Sequence, residues 1–284
     1  MKISLIITTQ GNRMTDLIRF IRSIELMIYK NVEIILVDQS EDSAILDIVR
    51  NSSIYEKTKH IKTSKVSLSK ARNMGLAEAT GDILCFPDDD CWYSENIIDQ
   101  VVKLFKEQNS CDCICTNVYD PNEEKFYGTR RKNGNDEIQI NQINAFKYPI
   151  SVGIFLRSRV MGNLLFDERL GAGAKWGSGE ETDLILKLLK KDAKIIFCPN
   201  ILVYHPVGND INWDRAKYYN YGKGFGATIQ ISLQRRQFLT LIELLIILSR
   251  SFAAFILFGI KDRRKSLNYL ARIRGIFKGL TSVI

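Results

Sequence analysis

The 284-residue chain has no C-x-x-C pair, and its two histidines, His60 and His205, do not stand at zinc-ligand spacing. A structural zinc site is therefore not written into it. The six cysteines are Cys85, Cys91, Cys111, Cys113, Cys115 and Cys198. Three of them alternate in C-D-C-I-C, the period of one face of a buried strand, and all six are expected as reduced thiols of a cytosolic protein. The opening M-K-I-S-L-I-I-T-T is too short an apolar stretch for a signal peptide and has no cleavage site, so the body is expected to stay in the cytosol. No G-x-x-x-x-G-K-S/T loop occurs, which removes P-loop NTPases. There is no internal repeat and no low-complexity linker. What is present is ordinary for a globular protein, 45% hydrophobic and 25% charged residues, in a chain long enough for one large or two intimately packed α/β domains.

The net charge of +8 is unevenly placed. Residues 234–284 hold ten of the 40 basic residues and two of the 32 acidic ones, Glu243 and Asp262, so the remainder is neutral. A neutral body with a basic, apolar tail points to an anionic membrane surface. Nucleic acid is the weaker partner and none is expected, because the tail's cations alternate with long aliphatic runs and few aromatics suited to base stacking.

Apolar β-branched runs at 3–8, 32–37 and 82–86, with a weak one at 60–63, read as buried strands. Helical spacing at 13–29, 43–54, 69–79 and 94–107 separates them. This alternation predicts a mixed, mainly parallel α/β sheet flanked by helices, with ligands bound beyond the carboxyl ends of the strands. The polar clusters T-T-Q-G-N, D-Q-S-E-D and P-D-D-D fall there. Further on, 122–136 reads as a polar loop, 152–156 as a strand, 171–179 as a glycine-rich loop and 180–191 as a helix. Short strands are expected at 195–199 and 201–204, and a helix broken by Gly222, Gly224 and Gly226 at 213–230. Residues 1–115 and 116–232 would form two halves of one α/β domain, and 233–284 a helical tail.

The sharpest chemical feature is Asp88-Asp89-Asp90. Three adjacent carboxylates repel unless a positive group neutralises them, and a divalent cation shared with a diphosphate does so. An exposed acidic turn is the plainer alternative. Upstream lies L-S-K-A-R-N-M-G-L, followed by A-T-G-D-I-L-C-F-P-D-D-D-C-W, and downstream G-S-G-E-E-T-D-L. Together with the opening strand carrying Thr8 and the V-D-Q-S turn, this order resembles the family 2 glycosyltransferases of the GT-A fold over about residues 1–225.

The resemblance implies roles, with residues 1–115 the nucleotide-sugar-binding half and 116–232 the acceptor-binding and catalytic half. Thr8 and Asp38 would sit against the base and ribose of a nucleotide-sugar, Asp38 accepting from a uracil N3–H. Arg72, Asp88 and Asp89 would line the diphosphate. Asp88 and Asp90, with His205, would hold Mn2+ or Mg2+. Asn73 and Gly75 would serve the close approach of helix to sheet. Inverting transfer needs a general base. The family usually has Glu-Asp at the mouth of the later helix; this chain has Glu180-Glu181, so Glu181 takes the base position beside Glu180, and Asp183 is read as structural. Trp176 would stack on the acceptor sugar, with packing under its loop as the other reading. The Q-x-x-R-W signature of processive synthases is absent, which implies one sugar per encounter. A sugar nucleotidyltransferase is disfavoured because its G-x-G-T-R-L-type loop is missing; a non-catalytic binding subunit is the alternative of a different class.

Residues 238–260 are apolar except for Glu243 and Arg250, long enough to span a bilayer. Glu243, Arg250 and Lys261 share one side of the helix, and basic clusters flank both ends, so interfacial helices at 238–260 and 267–280 are expected, with one true span as the alternative. The acceptor would then be a saccharide or lipid-linked saccharide, met at the cytoplasmic face of the cell membrane in bacterial surface polysaccharide assembly.

Overall fold

The computed structural model describes residues 1–127, 136–207 and 214–283. In chain order the strands are β1 (Ile3–Thr9), β2 (Val32–Asp38), β3 (Thr58–Lys62), β4 (Ile83–Cys85), β5 (Cys113–Asp120), β6 (Lys125–Phe126), β7 (Ile138–Gln139), β8 (Ile154–Arg157) and β9 (Ile195–Tyr204). The helices are α1 (Met14–Leu26), α2 (Ala44–Arg50), α3 (Leu68–Leu76), α4 (Ile97–Glu107), α5 (Ser158–Met161), α6 (Glu180–Leu189), α7 (Arg215–Gln234), α8 (Thr240–Lys261) and α9 (Arg263–Thr281).

One sheet runs in the order β3-β2-β1-β4-β8-β5-β9-β7, with β6 beside β5. Strands β3, β2, β1 and β4 are parallel; β8 is antiparallel to both β4 and β5; β5 and β9 are parallel. Strand alternation divides the apolar side chains between two faces. Ile3, Leu5 and Ile7 of β1 join Leu17 and Phe20 of α1 and Val101 and Phe105 of α4. Ile6, on the other face, joins Leu184 and Ile185 of α6 and Ile229 of α7. Both faces are covered, so the strands read as continuous apolar runs. Gly75 lets α3 lie close on the sheet: a Cβ there would come 2.4 Å from Ile6 Cγ2. Asn73 works elsewhere, donating to Phe166 O at 3.0 Å and accepting from Phe166 N at 2.9 Å.

The expected halves meet inside a single strand, because β5 crosses residue 115, and the boundary at 232 lies within α7. Two local expectations also change. The two strands at 195–204 are one strand, β9, with the register of its pairing to β5 shifting between Thr116 and Asn117. Most of the expected loop at 122–136 lies outside the described residues, as does Trp213.

The second change concerns the glycines of α7, which do not interrupt it. They admit a neighbouring backbone. A Cβ on Gly226 would lie 2.1 Å from Ile276 O and one on Gly222 2.3 Å from Arg272 O; Gly275 and Gly279 of α9 face Tyr219 O and Lys223 O in the same way. Small residues spaced by four bring the two helices into backbone contact, at the expense of the helix propensity that glycine lacks. Helix α9 thus buries its stripe of Ala271, Gly275, Ile276 and Gly279, while Arg274, Phe277 and Lys278 on its other side stay exposed.

Helix α8 is long and apolar enough to cross a membrane, by length and composition alone. Its polar residues divide, Glu243 facing the protein while Arg250 and Lys261 are exposed. Glu243, Leu244, Ile247 and Ser251 are buried, whereas Leu241, Leu245, Phe252, Ile256 and Ile260 are exposed.

Candidate active site

Strands β1, β2 and β4 end at one edge of the sheet, with Thr9 opposite Asp38 and Thr8 bridged to Asp88. This register delivers the acidic turn to a cleft whose far wall is the N-terminus of α6 and the end of β9. Asp89 and Asp90 are each 8% exposed. Thr9 Oγ1 donates to Asp89 Oδ2 at 2.7 Å. Burial raises the Asp89 carboxyl above its ordinary value, more than Thr9 and Arg13 lower it. Asp90 ends below its ordinary value: burial pushes it up, but His205 and Arg13 outweigh burial.

Asp88, Asp90 and His205 offer ligand atoms that all lie within 4.8 Å of one another. The donor set suits Mn2+ or Mg2+, oxygen-rich with one imidazole. Two further observations fit a cation there. Asp90 Oδ1 is buried without a hydrogen bond, although His205 Nε2 stands 3.1 Å away. His205 Nδ1 lies 2.7 Å from Pro206 O, and since a carbonyl only accepts, Nδ1 carries the proton and Nε2 faces the carboxylates. The ring is also edge-on to Tyr127, centroids 5.5 Å apart.

Arg72 spans the cleft floor. It is 1% exposed, donates to Asp88 Oδ1 at 2.9 Å and reaches Glu180 Oε1 at 3.3 Å. Burying a guanidinium this fully is costly unless it is paired, as it is here. It therefore ties the acidic turn to the first turn of α6. There Gly179, at φ +95°, turns the chain into the helix. Glu181 is half-buried, and burial together with the neighbouring Glu180 raises its carboxyl well above the usual range. Tyr127 and Tyr221 are raised too, first by burial and then by surrounding negative charge that includes Glu181. Asp183 is fully buried between Lys187 at 2.8 Å and Arg235 at 2.6 Å, a structural role that anchors α6 to the end of α7.

Two residues expected to touch ligand are enclosed by the protein. The Asp38 carboxylate is taken up by neighbouring donors. It is 0% exposed: Oδ1 accepts from Ser40 N at 2.8 Å and Ser40 Oγ at 2.6 Å, while His60 Nε2 at 2.9 Å and Lys62 Nζ at 3.1 Å take Oδ2. Burial would raise this acid, but these donors hold it below its ordinary value. Asp38 organises the rim, and a nucleobase would meet it only after Ser40 or Lys62 gave way. Trp176 is no acceptor platform. It is 2% exposed, packs with Leu170, Ala227, Ile231 and Val283, and donates from Nε1 to Ser282 Oγ at 2.9 Å.

Arg13, Arg19 and His60 were missed. Arg19 donates to Asp90 O at 3.0 Å and lies over Trp92, 3.9 Å from its ring centroid. The signal available was only a basic residue in Q-G-N-R after the first strand and another one helical turn and a half later.

Residues 4–165 match the family described as glycosyl transferase family 2. An uncharacterized glycosyltransferase of Rickettsia conorii (strain ATCC VR-613 / Malish 7) is 30% identical over 197 residues, 68% of this chain and 31% of that protein, so the chain spans about a third of that relative's length. Glycosyltransferase GlyG of Streptococcus pneumoniae serotype 4 is 25% identical over 239 residues, 76% of this chain and 78% of the other. The mannosyltransferase PcManGT from Pyrobaculum calidifontis, solved with GDP-Man and Mn2+, superposes with a TM-score of 0.71 at 14% identity, over 99% of this chain and 87% of that one. TarS 1–349 of S. aureus, solved with UDP-GlcNAc, gives 0.66 at 16%, over 100% and 84%. These likenesses establish the GT-A fold. With the family match extending over more than half of its length, the chain belongs to glycosyl transferase family 2.

Proposed function

We propose that the chain moves one sugar per encounter, with inversion, from a nucleoside diphosphate sugar to a saccharide or lipid-linked saccharide acceptor. The observation that carries this is buried Arg72, which joins the Asp88 side of the cleft to the Glu180–Glu181 side. Leaving-group and base chemistry thus share one rigid frame. Asp88, Asp90 and His205 would hold Mn2+ or Mg2+, which when bound neutralises charge on the departing diphosphate. Arg72 supplies fixed positive charge beside it. Glu181, kept basic enough by burial and by Glu180, would take the acceptor hydroxyl proton, since a base works best when its pKa lies near the working pH. PcManGT was solved with GDP-Man and TarS with UDP-GlcNAc, so the shared chemistry is the nucleoside diphosphate. UDP-sugars are the first donors to try. With Mn2+ present, incubation with UDP-, GDP- and dTDP-hexoses should release the nucleoside diphosphate from one of them. A folded protein that binds nucleotide yet releases none with any donor and saccharide acceptor would favour a non-catalytic binding subunit.

We also propose that α8 lies in the cytoplasmic membrane interface rather than across the bilayer. Its inner side, with Glu243 and Ser251, is occupied by the protein, and its outer side sets exposed Leu245, Phe252 and Ile256 beside exposed Arg250 and Lys261, the mixed apolar and basic surface of an interfacial helix. Arg235, Arg236, Arg263, Arg264 and Lys265 flank it. The protein should co-sediment with vesicles containing anionic lipid, and L245E/F252E, altering two exposed positions, should lose most of that binding while keeping the same melting temperature. Undiminished binding by the double variant would contradict an α8-mediated contact.

A further inference from the structure

Arg13 is held differently from Arg72. Its Nη1 pairs with Asp90 Oδ2 and lies 3.4 Å from Asp89 Oδ1. Arg72 is locked, 1% exposed, whereas the Arg13 side chain is 53% exposed and only its tip enters the acidic turn. It stands at the residue before α1, with extended-side backbone angles (φ −129°, ψ 51°), on the loop that follows Gly11 at φ +79°. No core packing holds it: it can leave the carboxylates by side-chain rotation alone.

Its position conflicts with a bound cation. A metal ligated by Asp88, Asp90 and His205 would share Asp90 with a guanidinium. Two like charges competing for one carboxylate weaken each other, and the cleft's limited exposure to water makes the effect larger than on an open surface. A nucleoside diphosphate changes the balance. It brings several negative oxygens beside the metal and gives the planar guanidinium a partner that it binds in bidentate fashion.

We propose that Arg13 is a tethered counter-cation that offsets part of the acidic turn's charge in the empty enzyme, opposes metal binding until nucleotide arrives, and then transfers to the diphosphate. Metal and nucleotide binding are thereby coupled, and the coupling is reciprocal. The inference rests on Asp88, Asp90 and His205 being a metal site, and it goes further by assigning a regulator to that site.

The test is Mn2+ binding, followed by electron paramagnetic resonance of the free ion, with wild type, R13A and D90N, each with and without UDP or GDP. In wild type, the nucleotide that binds should tighten Mn2+ by a factor within the usual coupling range of about 5–150-fold. R13A should bind Mn2+ without nucleotide at least about tenfold more tightly than wild type, and the nucleotide should then add little. Thermal unfolding gives a second readout. R13A without metal should melt below wild type, because Asp89 and Asp90 lose their counter-ion, and Mn2+ should restore it. Equal or weaker Mn2+ binding by R13A, with binding abolished in D90N, would overturn the role of Arg13 and leave the metal site standing. No Mn2+ binding by wild type or R13A, with either nucleotide, would overturn both.

Discussion

Replacing Glu181 with Gln is expected to lower kcat by about 10²–10⁴-fold, the contribution of a well-placed general base. Nucleotide affinity should hardly change, because Glu181 is on the acceptor side and Arg72 pairs with Glu180 instead. Gln keeps the shape and loses the proton affinity. The pH dependence gives an independent readout. Burial and the Glu180 charge raise Glu181. Wild-type kcat should therefore fall on the acid side as Glu181 gains its proton, with the limb above the ordinary glutamate value of about 4.3. That limb should vanish in E181Q. Full activity in E181Q, or an unchanged acid limb, would remove Glu181 from the chemistry. E180Q should behave differently: it strips a buried arginine of one partner and should reduce stability as well as rate.

Trp176→Ala should destabilise the protein by about 3–5 kcal/mol, as for other large aromatic-to-alanine changes in a core. Urea unfolding measures this directly. The indole fills the space among Leu170, Ala227, Ile231 and Val283, and its N–H reaches Ser282 Oγ. It thereby fastens the glycine-rich loop to the chain's C-terminal helix. Gly224 and Gly179 fasten the other side of the same loop, since a Cβ on either would meet Ser178 Oγ at 2.2 Å or Thr228 Oγ1 at 2.3 Å. A tryptophan that stacked on an acceptor sugar would give the opposite pattern, unchanged stability and a raised acceptor KM.

The strands that carry the site were legible because they are buried on both faces and therefore apolar throughout, as in Ile3–Thr9 and Val32–Asp38. The acidic turn was legible because three adjacent carboxylates are costly without a counter-charge, and the order of motifs around it pointed to the family. What stayed hidden depended on partners distant in sequence. Gly222 and Gly226 look like helix breakers until Arg272 and Ile276 are set against them. Asp38 looks like an available acceptor until His60 and Lys62, brought in by β3, close over it. The polar stripe of α8 was visible in the periodicity, but that Glu243 faces the protein rather than water is decided by tertiary packing. Arg13 had no readable partner, since Asp89 and Asp90 lie more than seventy residues away.

The central claim is a metal-dependent nucleoside diphosphate site at Asp88, Asp90 and His205. It is tested most directly by calorimetric titration of UDP and GDP into the purified chain, with and without Mn2+, alongside Asp90→Ala. The account predicts binding of one nucleotide that strengthens with Mn2+. In Asp90→Ala the loss should exceed the roughly 10–100-fold that follows removal of an outer partner of a metal ligand. A folded protein that binds neither nucleotide with the metal present, or an Asp90→Ala variant that binds as tightly as wild type, would contradict it.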